Sequence, residues 1–299
     1  MMIKNWKKWM WIAVTLVGVG IILFLIALIG LKGDLSMGEY ETKRYEITEG
    51  FENISISTET GDIQVAVSND GSVWVECYEP KNLHHTATVE NDTLNVGFID
   101  ERKWYEFSGF YFATPKITIY MPQGEYGAFS IRSTTGDTII AKEFLFHSMD
   151  ITATTGDISN YASITETVKI KTTTGNIRVE KITAKGLDLS VSTGNIHVAD
   201  VVCNNLTYSG DTGDLSLKNV LANEKIHAES VTGDIRFEAC DAGEIYAKTN
   251  TGDVRGTLRS TKNFIATTNT GRVNVPQSGA GGKCELYTNT GNISIEIQN

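Results

Sequence analysis

The chain is predicted to be all-β, a single-stranded β-solenoid of the parallel β-helix kind preceded by one N-terminal transmembrane helix. Three observations carry that prediction. A Thr-Gly pair returns every 19 or 20 residues, apolar and polar side chains alternate around each copy, and one charge-free apolar run stands near the start.

The apolar run covers residues 10–31 and spans about 33 Å as a helix, enough to cross a bilayer core. Lys4, Lys7 and Lys8 precede it among Trp6, Trp9 and Trp11, a basic flank with interfacial aromatics that favours a cytoplasmic N-terminus. A cleavable secretory signal would have a shorter apolar region ending in a small-x-small site, and Ile26 to Leu31 offers a poor one. An uncleaved single-pass anchor in the cell membrane is therefore expected, with the bulk of the chain extracellular. No cysteine follows the run closely enough to take a lipid.

Residues 34–125 read as an irregular β segment that caps the repeats. Residues 64–77 form an expected hairpin turning at Asp70-Gly71, and residues 86–98 another turning at Asn91-Asp92. A single early repeat copy stands at residues 58–65. Trp104, Tyr105, Phe107, Phe110, Tyr111 and Phe112 crowd residues 101–115, and these six are the candidate partner-binding residues. The structural alternative for them is a flap over the first coil.

From residue 126 to 299 the repeat is uninterrupted. The paired glycines are Gly136, Gly156, Gly175, Gly194, Gly213, Gly233, Gly252, Gly271 and Gly291, with Gly61 as the early copy. Seven and five residues before the glycine stand pairs such as Phe129 and Ile131, Val168 and Ile170, or Leu187 and Leu189; polar residues lie between them. Two residues beyond the turn the apolar series resumes at Ile158, Ile177, Ile196 and Leu215. Each strand resembles the strand one unit later more than its neighbour across the turn, so like stacks on like in parallel. Nine coils at about 4.8 Å make a rod of about 43 Å, and residues 34–299 form one continuous domain. A propeller would need about forty residues per blade.

The corner chemistry is Thr-Gly-Asp or Thr-Gly-Asn, represented by Thr174, Gly175, Asn176 and by Thr212, Gly213, Asp214. Glycine takes positive φ freely, and Asp or Asn closes a turn on its own backbone. Arg272 is the one departure from Asp or Asn. The threonine shares the parity of the buried residues, which predicts an inward threonine ladder. The final coil ends near residue 299, so an exposed C-terminal solenoid edge is expected to offer self-association.

Residues 117–140, ITIYMPQGEYGAFSIRSTTGDTII, with the serial TTGDI-type turns after them, resemble the putative-adhesin domain of unknown function in LiaG-like proteins of bacterial envelopes. The resemblance covers about residues 40–299. It implies a short-coil solenoid on an N-terminal membrane helix, an envelope location, and a link to adhesion or stress response; it supplies no catalytic residues.

Charge and motif content narrow the function. The first 33 residues hold four of the 26 bases and no acid, so 22 bases and all 36 acids fall in the remainder, a net charge of −14 that repels nucleic acid. Cys77, Cys203, Cys240 and Cys284 have no C-x-x-C spacing, so no zinc site or dense disulfide framework is expected. Coils of constant length leave no loops to wall a cleft, and no catalytic motif is present; neither an enzyme nor a cofactor is expected. SGAGGK at residues 278–283 lacks the first glycine and final hydroxyl of a phosphate loop. Stacked Asp residues raise calcium as a lesser reading, against which Arg178, Arg236 and Arg255 stand two residues beyond turn acids or amides. Ice binding fails because Val191, Gly210 and Ser230 break the Thr-x-Thr row.

The expected function is that of a membrane-anchored, extracytoplasmic, non-enzymatic binding or scaffold protein, adhesin-like, whose partner is a cell-wall polymer or a membrane protein. The alternative is an accessory or regulatory subunit of an envelope-stress system acting through a membrane protein partner.

Overall fold

The computed structural model describes residues 6–30, 40–81, 83–100 and 114–298. Helix α1 (Trp6–Gly30) stands by itself as one part, and the β elements from Tyr40 onward form the other. Side chains of α1 are described from Lys8 to Phe24; among the described residues no helix is long and apolar enough to cross a membrane.

The β part is a solenoid of about nine turns, as the period requires. Each coil pairs in parallel with its neighbours in a register that places corner threonine on corner threonine, as at Thr155↔Thr174, Thr174↔Thr193 and Thr212↔Thr232. Coils are named here by their corner glycine. A full coil bends at three places: the Thr-Gly corner, a second corner at the positive-φ residues Lys181, Asp200, Asn219 and Ala239, and a third near Lys185 and Asn204. The inward side chains of successive coils merge into one core, running from Ile54 and Ile56 through Ile170, Leu189 and Ile226 to Leu286 and Ile295. Tyr208 is the largest of them, fully buried, and Gly210 makes its room: a Cβ there would meet the Tyr208 hydroxyl at 2.0 Å.

At the start, β1 (Tyr40–Ile47), β2 (Asn53–Thr60), β3 (Asp62–Val67), β4 (Val73–Pro80), β5 (Leu83–Glu90), β6 (Thr93–Asp100) and β7 (Lys116–Met121) build the cap. The Gly61 coil, made of β2 and β3, stacks directly on the Gly136 coil. Strands β5 and β6 form the expected hairpin, with Asn91 and Asp92 both at positive φ in its turn. The other expected hairpin does not form. Asp70 does turn the chain, accepting from the Ser72 amide at 3.0 Å, but β7 lies between β3 and β4, parallel to the first and antiparallel to the second. Strand β1 then closes this end antiparallel to β4.

Two expectations about the repeats need correcting. The corner threonines do not point inward: all ten are exposed. The amide of each corner glycine donates to the threonine carbonyl of the next coil, as from Gly156 to Thr174 at 2.9 Å, and the chain bends around that bond with the threonine side chain on the convex side. The inward position lies two residues earlier. There Thr249, Thr268 and Thr288 donate their hydroxyls to the carbonyls of Gly233, Gly291 and Gly252 at 2.9–3.0 Å.

The second correction concerns stacking order. The Gly291 coil is inserted between the Gly252 and Gly271 coils: Thr290 pairs with both Thr251 and Thr270, and Ile293 with both Val254 and Val273. The free edge expected on the C-terminal coil thus belongs to the Gly271 coil. The SGAGG stretch makes the return possible by close backbone approach, since a Cβ on Gly281 would lie 1.8 Å from the Thr261 carbonyl oxygen and one on Gly282 1.7 Å from that of Gly243.

The corner glycines are irreplaceable for the same reason. At Gly213 φ is +133° and a Cβ would sit 2.0 Å from the Gly194 carbonyl oxygen. Gly213→Ala is expected to cost more than about 3 kcal/mol, whereas Thr212→Ala at the exposed neighbouring position should stay within about 0.5 kcal/mol. Denaturant unfolding of the two variants checks the contrast.

Candidate functional site

The predicted site residues fall into two groups. Trp104, Tyr105, Phe107, Phe110, Tyr111 and Phe112 lie outside the described residues. Thr174, Gly175, Asn176, Thr212, Gly213 and Asp214 sit at the corner, where their role is structural. Two further constellations were not singled out in the sequence.

The corner residues form a side-chain ladder along the stack. Each Asp or Asn accepts the backbone amide of the equivalent residue one coil on: Asp157 from Asn176 at 2.7 Å, Asn195 from Asp214 at 2.9 Å, Asp234 from Asp253 at 2.8 Å. The inserted coil obeys the same rule, Asp253 accepting from Asn292 and Asn292 from Arg272. Arg272 lies on the outermost coil, where no further amide needs an acceptor, so the exception marks the end of the stack. Charge on the ladder is met by Arg255, whose guanidinium lies 2.7 Å from Asp234 and 3.6 Å from Asp253, whereas Arg178 pairs with Glu180 instead.

The first new constellation is an outward aromatic ladder. Buried Ile226, Ala228, Ile245, Ala247, Cys284 and Leu286 alternate with outward residues, and three of the latter are His227, Tyr246 and Tyr287. The His227 ring stacks on Tyr246 with centroids 4.7 Å apart and planes 8° from parallel; Tyr246 and Tyr287 are 5.9 Å apart. The Tyr287 hydroxyl donates to Glu285 at 3.1 Å, and His227 lies 3.5 Å from Glu229. Exposed Ile265 continues the surface on the edge coil. Rings on a flat face, rimmed by carboxylates, suit ligands with apolar faces and hydroxyl edges. Sequence reasoning weighed aromatic density within one segment, whereas coil register pairs His227 with Tyr246, and Tyr287, in register with Lys248 on the inserted coil, reaches Tyr246 diagonally. A second outward aromatic group lies on the cap: Trp74 stacks on Tyr120 at 4.6 Å, with the Arg44 guanidinium 4.3 Å above the Trp74 ring.

The second constellation is buried. Cys77 and Glu79, on the inward face of β4, meet His85 of β5, with the ligand atoms of all three within 4.8 Å of one another. His85 Nδ1 lies 2.7 Å from Glu79 Oε2, and its Nε2 lies 2.8 Å from the Thr58 hydroxyl. The Tyr45 phenol donates to the His85 carbonyl at 2.6 Å, closing one side. No motif spacing marks this group.

All four cysteines are buried and reduced. Burial pushes the Cys77 thiol up to about 12, with the nearby Glu79 carboxylate adding to it; burial alone takes Cys203 to about 11, and Cys284 reaches about 12 by burial against a small opposing effect of Lys262. Because the thiolate is the reactive form, none of the four should react with iodoacetamide at pH 8 in the folded chain, and all four should react in denaturant. Mass spectrometry of the alkylated protein checks both.

The family described as Toastrack DUF4097 matches residues 51–296. Among solved structures, a putative adhesin from Parabacteroides distasonis ATCC 8503 shares 13% identity, covering 86% of this chain and 97% of its own, at a TM-score of 0.56. A putative lipid binding protein from the same organism shares 16% over 86% and 97%, at 0.54. A putative adhesin from Parabacteroides merdae ATCC 43184 shares 14% over 87% and 97%, also at 0.54. At these identities the likeness is one of fold. No curated protein matches the chain.

Proposed function

The chain belongs to the Toastrack DUF4097 family, and from that premise we propose that it is an adhesin-like, non-enzymatic binding protein anchored in the membrane with its solenoid outside the cell. The observation that carries the reading is the His227, Tyr246 and Tyr287 ladder, a half-buried outward platform on adjacent coils. The adhesin names of two structural neighbours support it. Support for the anchor comes from the sequence, in the charge-free apolar run of residues 10–31 and the basic, tryptophan-rich flank before it.

A platform of this kind binds by stacking the apolar face of a sugar ring on an aromatic ring while carboxylates take its hydroxyls. Each stacked ring contributes about 1 kcal/mol, so affinity grows by repetition along the rod. A cell-wall polysaccharide presents repeated rings to meet it.

The test is co-sedimentation of the purified full chain with isolated cell walls. Wild type should pellet with the walls, and the Tyr246→Ala, Tyr287→Ala double variant should bind about thirtyfold more weakly with unchanged unfolding. Equal pelleting of both would remove the ladder from the function, and pelleting only with membranes would favour a membrane partner. The orientation has its own test, made clean by the inert native thiols. Ser216→Cys on the outward face should react with a membrane-impermeant maleimide in intact cells; labelling only after lysis would overturn the extracellular placement.

A further inference from the structure

We propose that Cys77, Glu79 and His85 form a binding site for a thiophilic divalent cation of the zinc class inside the cap. The three residues bring one sulfur, one carboxylate and one imidazole within 4.8 Å of one another, and each is no more than 1% exposed. That mixture suits zinc, which takes cysteine, histidine and carboxylate ligands together.

Two features of the surroundings point to a ligand. Glu79 Oε2 is occupied, accepting from the His85 backbone amide at 2.8 Å, while Oε1 is buried without a hydrogen-bond partner among the described residues. A buried carboxylate oxygen left bare is costly, and a cation is the partner that most fully offsets it. The second feature is the histidine tautomer. The Thr58 hydroxyl lies 2.8 Å from His85 Nε2 and 3.3 Å from the Thr60 carbonyl, so it can donate to that carbonyl while its oxygen accepts from Nε2–H whenever Nδ1 is the ligating nitrogen. In that tautomer Nδ1 turns a lone pair toward Glu79, where a metal ion can take it; without an ion, Nδ1–H donates to Glu79 Oε2 at 2.7 Å. Thr58 does here what outer-sphere partners do for metal-bound histidines, fixing the ring and its tautomer.

Charge closes the case. One thiolate, one carboxylate and one neutral imidazole neutralise a divalent ion, giving an interior cluster with no net charge to desolvate. Binding releases the Cys77 thiol proton and moves the imidazole proton from Nδ1 to Nε2, where the Thr58 oxygen accepts it, with no change of oxidation state. The ion would tie β4 to β5 and, through Thr58, to β2 at the first corner, so the metal would brace the capped end of the solenoid.

The experiment uses the full chain, unfolded with chelator and refolded with Co²⁺ as the probe. A sulfur-to-cobalt charge-transfer band reaching one ion per chain, removed by Zn²⁺ and absent in Cys77→Ser, is the expected result. Thr58→Val, which leaves all three ligands in place, should weaken cobalt binding about 10–100-fold and covers the case in which Cys77→Ser does not fold. Refolded wild type without the band, or a band that survives in Cys77→Ser, would overturn the proposal. These outcomes are independent of wall binding, which the aromatic ladder decides.

Discussion

The structure depends on one contact, the seat of each corner glycine on the carbonyl of the glycine below it. Along the stack, the carbonyl oxygen of one corner lies 1.9–2.1 Å from where a Cβ of the next would be. Only a residue without a side chain closes that distance, and only glycine takes the accompanying φ of +132° to +153° without strain. Once the corners are locked, the amide-to-carbonyl bonds on either side set the register, and register decides which residues meet across coils. The core, the Asp/Asn ladder and the aromatic ladder all follow from it.

Much of this was legible because it is local. The Thr-Gly-Asp/Asn period and the two-residue alternation gave coil length, parallel stacking and the buried positions such as Ile170 and Leu189 directly. The inward threonine ladder was misplaced because strict alternation was carried through a bend, where geometry and not parity decides the side; Thr172, Thr249 and Thr288 occupy the interior that Thr174, Thr251 and Thr290 were assigned. Stacking order was not legible from the period, since the Gly271 and Gly291 coils both fit either place. One signal was present and went unused. Arg272 has no carboxylate or amide to offer, and a ladder of acceptors can dispense with one only at its end.

The two constellations were hidden for different reasons. His227 and Tyr246 are one coil apart and were within reach of a column-by-column reading, but Tyr287 joins them only because its coil is inserted. Cys77, Glu79 and His85 depend on β4 and β5 converging on the first corner, and the antiparallel cap has no period from which to infer that. Regular repeats broadcast their geometry, whereas caps must be solved case by case. Both candidate sites lie on what the repeat leaves free: outward positions that no core contact constrains, and a cap that no register dictates.

The two ends of the solenoid meet the open-edge problem differently. At the cap, β1 turns antiparallel to β4 and carries alternating charges, with Lys43 bonded to Glu41 at 2.9 Å and Arg44 to Glu46 at 2.6 Å, so that an incoming strand would have to desolvate ions. At the far end the Gly271 coil keeps exposed Ile265 and Val273. Its protection is covalent and topological. The coil is joined at one side through Lys262, whose buried ammonium binds Asp241 and the Ala242 carbonyl, and at the other through the glycine-rich return that feeds the inserted coil. An edge coil held at both ends loses less entropy on closing than one with a free end, so it frays less. The insertion of the Gly291 coil therefore does for this end what charged β1 does for the other, holding the last corner in register where no further glycine stacks on it.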